Sequence, residues 1–259
     1  MANDASAPSI ETPTTSETIE LLLDRRSVRS IAPDPIPEAQ VEAVLRAAFR
    51  APTSSNIQAY SVVVVRDAET RQALSVPTGN QRHVAEAPVF LAYCADLTRI
   101  EHALEKHGHT LDDNNFEVGL VSSIDAALVG MSAYLAADSL GLKGVMIGAV
   151  RNDPVAIAKI LGLPKRVYCV YGMSLGRPAA LPEQKPRMDY RAMVHEERYD
   201  RDKMKDLLET YDPVLAQHYR ETGRETTDDS WTHDMDKKFH PYLRDGLRDA
   251  LRELGFDFR

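Results

Sequence analysis

The sequence predicts an α+β fold, and three observations carry that reading. Four runs, "YSVVVVRD", "PVFLAYCAD", "GVMIGAV" and "RVYCVYGMSLGRP", are rich in β-branched and aromatic residues and bounded by turn formers, as core strands are. Helical spacing of apolar residues occupies both ends of the chain. No internal repeat points to a solenoid or propeller. With 259 residues, 43% of them hydrophobic, the chain can build one sizeable core.

Taken in order, residues 1–17, "MANDASAPSIETPTTSE", form a Ser/Thr/Pro-rich tail with the composition of a disordered segment. They lack the positive charge and apolar run of a signal peptide. "ETIELLLDRR" reads as a helix whose leucines anchor the adjoining basic stretch to the core. "IPEAQVEAVLRAAFRA" begins with Pro37 in its first turn and repeats Val41, Val44, Leu45 and Ala48, so it is a helix. "PTSSNIQ" is a polar loop, "YSVVVVRD" a strand and "AETRQALSV" a short helix. "TGNQRHVAEAP" is a loop or short helical segment before the strand "PVFLAYCAD".

The polar stretch 101–116 reads as a surface insertion. Residues 117–140 form a helix apolar on most sides, to be buried in the core or against a second subunit. Its uncharged segment, between Asp125 and Asp138, is shorter than the roughly 20 apolar residues of a membrane span. The strand "GVMIGAV" leads into "NDPVAIAKILG", a helix with Asp153 as N-cap, Pro154 at its first position and Gly162 at its end. After the last strand, the Pro-rich charged segment from Arg177 runs extended over a surface. The rest, 196–259, reads as peripheral amphipathic helices around a single domain, 18–259.

Several chemistries lose their context on this layout. The formal net charge is −8, which disfavours a general nucleic-acid surface. Cys94 and Cys169 lie in apolar runs and read as buried free thiols, which fits a reducing cytoplasm. "GMSLG" matches G-x-S-x-G, but no helix can follow it as a nucleophile elbow requires. His102, His107, His109, Asp112 and Asp113 crowd one polar segment without a helical metal-ligand pair. "GLKGVMIG" places its first two glycines before a strand, not after one as a dinucleotide loop needs. Gly148 within that strand suggests close approach of a flat ligand to the backbone.

One feature runs against the acidic background. "LLLDRRSVRS" puts Arg25, Arg26 and Arg29 within five positions. If this stretch is extended, Arg25, Ser27 and Arg29 share a side, where arginines and a hydroxyl can hold a phosphate. Far downstream, "KPR" gives Lys185 and Arg187 the same alternation, because the residue before proline is pushed toward extended geometry. Ser54, Ser55, Asn56 and Gln58 offer polar groups for hydroxyls and ring carbonyls. Each cluster alone fits a solvated face. Together they favour a phosphorylated cofactor held by side chains.

The segment "RRSVRSIAPDPIPEAQVEAVLRAAFRAPTSSNIQAYSVVVV" resembles the N-terminal signature of the nitroreductase superfamily of FMN-dependent enzymes. "TGNQRHVAEAPVFLAYCADLTR", "GLKGVMIGAVRNDP", "VYCVYGMSLGRPA", "KPR" and "VHEERY" are similar, in that order, to its oxygen-insensitive nitroreductase and NADPH–flavin oxidoreductase branch. The resemblance implies a central, mostly antiparallel sheet flanked by helices, in an intertwined homodimer with two FMN sites at the subunit interface. It implies that Arg25, Arg26, Ser27 and Arg29 bind the phosphate and nearby groups. It places Thr53, Ser54, Ser55, Asn56 and Gln58 along the ribityl chain or ring, Gln81 and His83 beside the flavin, and Ile147 and Gly148 at the ring edge through their backbone. Lys185 and Arg187 would serve one near the ring N1–O2 edge and one near the phosphate. The implied reaction is ping-pong: NADPH or NADH gives hydride to flavin N5 and leaves, and a nitroaromatic, quinone or free flavin is then reduced. No catalytic side chain and no metal is implied. A flavin reductase supplying a monooxygenase, and a non-catalytic flavin sensor, are the alternatives left open.

One segment departs from the branch. Where it reads the 2′-phosphate of NADPH with arginines before a tryptophan, this chain has "TGRETTDDSW", with Arg224 as the only arginine and Asp228 and Asp229 near Trp231. The expectation is a weakened NADPH preference.

Overall fold

A computed structural model describes residues 14–111, 116–228, 230–241 and 243–258. Four strands, β1 (Tyr60–Val65), β2 (Val89–Asp96), β3 (Lys143–Ile147) and β4 (Val167–Gly176), form one antiparallel sheet in the order β1-β2-β4-β3. Every residue of β2 is buried, because it lies mid-sheet and both faces are covered. A register shift after Tyr93 sets Cys94 opposite Cys169 on β4. Both thiols are buried and unbonded.

The helices follow the predicted order: α1 (Glu17–Leu23), α2 (Glu38–Ala48), α3 (Ala68–Ser75), α4 (Arg82–Glu86), α5 (Thr98–Glu105), α6 (Phe116–Ser139), α7 (Pro154–Leu161), α8 (Tyr190–Met193), α9 (Arg201–Glu221), α10 (Ser230–Phe239) and α11 (Leu247–Glu253). Helices α2 and α6 cover one face of the sheet, where Val41, Val44, Ala126, Val129 and Ala133 pack on Leu91, Tyr93 and Met173. Val84 and Ile157 close the other face against Phe90 and Val145. Helix α11 belongs to a third cluster, with Leu251 and Phe256 against Tyr168. Helix α7 has the expected ends: Asp153 accepts from Ala156 N–H at 2.9 Å, and Gly162 is left-handed.

Several expectations change. Residues 1–13 lie outside the described residues, and Ser16 is already the N-cap of α1, so order begins before residue 17. Helix α1 buries nothing, and its leucines do not anchor the basic stretch to the core of this chain. Pro37 is the N-cap of α2, not part of its first turn. The stretch 101–116 is not an open loop at its start, since α5 runs to Glu105 and Glu101 pairs with Arg166; Asp112 and Asp113 lie outside the described residues. Gly148 opens a 3₁₀ turn, Gly148–Asn152, and is not part of β3. Ser174 is fully buried inside β4, which removes the nucleophile-elbow geometry.

Helix α6 is long and apolar enough by length and composition to cross a bilayer. Here one face is built into the core and the other is bare: Phe116, Leu120, Ile124, Leu128 and Met131, spaced one turn apart, are exposed.

Gly130 of α6 is required by packing. A Cβ there would stand 1.7 Å from the Tyr171 hydroxyl, which donates to the Ala126 carbonyl at 2.8 Å. Gly130→Ala gains about 1 kcal/mol of helix propensity but overpacks this contact at a cost of about 1–3 kcal/mol. The expected outcome is net destabilisation in urea unfolding.

Candidate functional site

The basic stretch is extended and docked edge-on to β3. The Val28 N–H donates to the Gly144 carbonyl at 3.0 Å, and the Val28 side chain is fully buried. From α6, the Tyr134 hydroxyl bridges the same two segments, contacting the Arg26 carbonyl and the Gly144 carbonyl at 3.2 Å. With Val28 inward, Arg25, Ser27 and Arg29 project the other way. The Arg25 guanidinium lies 5.5 Å from the centre of the Tyr134 ring and 3.4 Å from the Ser27 hydroxyl.

The downstream "KPR" arrives beside it. A strap of residues 182–187 is tied to the stretch by the Arg26 guanidinium, which donates to the Pro182 carbonyl at 3.2 Å, and by the Gln184 amide, which donates to the Leu23 carbonyl. Arg25, Arg26, Ser27 and Arg29 thus face Lys185 and Arg187 across a cavity of about 220 Å³. The two clusters, some 160 residues apart in sequence, are one cradle.

Its charge is unbalanced. Among the described residues, Arg25, Arg29, Lys185 and Arg187 form no ion pair with a carboxylate. Arg26 does, with Asp24 at 2.9 Å, so its role is to tether the strap. Glu183 is the one carboxylate in the lining. Like charges gathered around one cavity repel, the more so where water is excluded. A phosphate monoester, with about −1.5 to −2 charge near neutral pH, would relieve that repulsion and accept from guanidinium forks and the Ser27 hydroxyl.

The ring-side candidates are partly assembled. Arg29 lies close enough to His83 for its charge, second to burial, to lower the histidine's pKa from its ordinary value. The Nε2 of His83 is buried without a hydrogen-bond partner. The Gln81 amide is engaged by the Thr78 carbonyl at 2.7 Å. Ile147 ends β3, and its side chain is buried, so only its backbone is available. At Gly148 an added Cβ would meet only the end of the Arg151 side chain, at 3.3 Å.

The polar loop is not brought to the cradle. The loop of Thr53, Ser54, Ser55, Asn56 and Gln58 is held beside the middle of α6, where both oxygens of Asp125 accept, from Ser54 N–H and Ala59 N–H, each at 3.1 Å. Asp125 and Tyr134 are nine residues apart on one helix, about 13 Å along its axis. The loop is tightly wound: Ser55, Asn56 and Gln58 all have positive φ, 47°, 56° and 55°. Strain of this kind concentrates at functional sites.

Sequence reasoning misses three residues of the site: Tyr134, Asp125 and Gln184. Asp125 has a signal, since a lone carboxylate inside an apolar helix is rarely buried without partners. Tyr134 and Gln184 act on backbone carbonyls, which no side-chain pattern encodes.

In the 222–231 segment, Arg224 pairs with Asp234 at 3.7 Å and lies 4.1 Å from the centre of the Tyr219 ring. Asp228 pairs with Arg220 at 3.0 Å, and Asp229 lies outside the described residues. The adjoining cavity, about 410 Å³, carries Arg224, Lys237 and His233 against Glu225 and Asp234.

The chain thus combines an antiparallel sheet flanked by helices with a cavity, beside the β3 edge, lined by Arg25, Arg26, Arg29, Lys185 and Arg187. The nitroreductase family model matches residues 22–77 and 74–177, and the model of the family's C-terminal domain matches residues 185–259. The chain belongs to the nitroreductase family. It is 36% identical to an oxygen-insensitive NADPH nitroreductase of Salmonella typhimurium, over 94% of this chain and 100% of that one. It is 33% identical to an FMN reductase (NADPH) of Bacillus subtilis, over 93% of this chain and 99% of that one. The solved structure of the hypothetical oxidoreductase YcnD from Bacillus subtilis superposes with a TM-score of 0.91 at 32% identity, covering 95% of this chain and all of that one.

The geometry ranks the arginines. Arg25→Ala and Arg29→Ala each remove a cation free of any carboxylate, and FMN binding is expected to weaken about 10-fold or more, as loss of a charge-assisted contact of about 1.5–3 kcal/mol requires. Arg26→Ala is expected to weaken binding less and to loosen the strap. Dissociation constants from quenching of flavin fluorescence check the order.

Proposed function

We propose that this chain is an FMN-dependent NAD(P)H oxidoreductase that reduces small-molecule acceptors such as nitroaromatics, quinones or free flavin. The observation that carries the reading is the convergence of Arg25, Ser27, Arg29, Lys185 and Arg187 on one cavity, in a member of the nitroreductase family. The names of its relatives, an NADPH nitroreductase and an FMN reductase, support it.

Arg25, Ser27, Lys185 and Arg187 hold the phosphate, and Arg26 fixes the strap behind them. Arg29, toward His83, is the cation nearest the ring side. Bound FMN supplies hydride acceptance from NADPH or NADH and delivery to the acceptor. The residues present hold and orient; none needs to act as acid or base, and we assign no catalytic side chain. The absorption spectrum of the purified protein tests the cofactor. A flavin spectrum bleached anaerobically by NAD(P)H supports an enzyme, and a colourless, FMN-indifferent protein contradicts the reading.

The nucleotide preference depends on the balance of charge near Trp231. Arg224 is already held by Asp234, and Lys237 shares its cavity with Glu225, so a 2′-phosphate gains little there. We expect kcat/KM for NADPH and NADH to differ by well under about 100-fold, or about 2.7 kcal/mol. A larger NADPH preference would contradict this.

We also propose a homodimer, in which a second copy brings Thr53, Ser54, Ser55, Asn56 and Gln58 to the cradle that lacks them. The bare stripe of Phe116, Leu120, Ile124, Leu128 and Met131, with Ile19, Leu22 and Leu23 of α1, supports this. Ile124→Arg is expected to give a monomer by light scattering that also retains less FMN. The remaining expectations stand as proposals: a single domain over 18–259, and residence in a reducing cytoplasm, supported by the unbonded Cys94 and Cys169 facing each other across β2 and β4.

A further inference from the structure

The strap that carries Lys185 and Arg187 is gripped on its far side by α9, a helix the sequence marks as peripheral. Two tyrosines do this, two turns apart. The Tyr211 hydroxyl donates to the Pro186 carbonyl at 3.0 Å. The Lys185 ammonium donates to the Tyr219 hydroxyl at 3.2 Å and lies 4.9 Å from the centre of the Tyr219 ring. Tyr219 is only 5% exposed. Its hydroxyl donates in turn to Asp234 Oδ2 of α10 at 3.4 Å, and Arg224, lying against the same ring, pairs with that carboxylate.

A lysine on a four-carbon stem loses much rotamer freedom when it is fixed. In a cradle of like charges it would also swing outward. We propose that Tyr219 is a positioning residue that aims Lys185 into the anion cradle, through its ring and through the hydrogen-bond chain from Lys185 by way of the Tyr219 hydroxyl to Asp234. Orientation of the acceptor matters here. The phenol oxygen accepts from the ammonium through a lone pair while its own hydrogen is donated to Asp234. The cost of ordering the ammonium is thus met before ligand arrives, which is how preorganisation raises affinity. The inference rests on the cradle being the FMN phosphate site.

The test is binding of FMN and of riboflavin, which lacks the phosphate, to the flavin-free protein. Wild type, Tyr219→Phe, Asp234→Asn, Lys185→Ala and the Tyr219→Phe/Lys185→Ala pair are compared by fluorescence quenching. Tyr219→Phe keeps the ring and its packing. It is expected to weaken FMN binding about 5- to 10-fold, leave riboflavin binding unchanged, and have no further effect once Lys185 is gone. Asp234→Asn is expected to weaken FMN binding in the same direction. Equal loss for both flavins, or an undiminished effect in the Lys185→Ala background, would show a merely structural tyrosine and overturn the proposal. Wild-type FMN affinity in Tyr219→Phe would overturn it alone, leaving the cradle intact. A wild-type protein with no preference for FMN over riboflavin would overturn the cradle as well.

Discussion

Everything in the site depends on holding like charges together. Arg25, Arg29, Lys185 and Arg187 share one cavity with a single carboxylate, Glu183, in its lining. Such a cluster opposes folding, so the backbone that carries it must be fixed by contacts that do not neutralise it. The structure uses carbonyls and hydroxyls for this. Tyr134 grips the Arg26 and Gly144 carbonyls, Val28 pairs with β3 through its amide, and Gln184 and Arg26 lace the strap to the stretch through backbone oxygens. Among the described residues, Arg26 is the one cradle arginine that meets a carboxylate, Asp24, and it is the tether. A bound anion would relieve this repulsion.

Helix α6 is the common spine. Its buried face packs α2 and β2, its Tyr134 fixes the cradle, and its Asp125 holds both ends of the 53–58 loop through Ser54 and Ala59. One rigid rod therefore sets Asp125 and Tyr134, which hold the loop and the cradle, about 13 Å apart along its axis. The same helix that buries Ala126 and Ala133 leaves Ile124 and Leu128 exposed, and the proposed second copy would cover them.

Much of this is legible in the sequence, for definite reasons. The strands stand out because a buried sheet needs β-branched, apolar runs. Helix α7 is legible to the residue, because Asp153, Pro154 and Gly162 each encode a backbone state. The cradle's side chains are legible because alternation in "RRSVR" and "KPR" forces arginines and lysine onto one side of an extended chain. The backbone-directed support is not. Tyr134, Gln184 and Tyr219 recognise carbonyls or a distant ammonium, and nothing local marks them. The leucines of α1 mislead for a related reason: an apolar run signals burial, but not whether the burying surface belongs to the same chain. Gly148 misleads because the strand ends at Ile147, three residues before the apolar pattern ends at Val150.

The most direct test of the central claim is a crystal structure of the protein with FMN. The phosphate is expected within hydrogen-bond distance of Arg25, Ser27, Lys185 and Arg187, with the ring toward Arg29 and His83. A flavin whose phosphate lies in solvent, or in a cavity other than the one between residues 25–29 and 182–187, would contradict it.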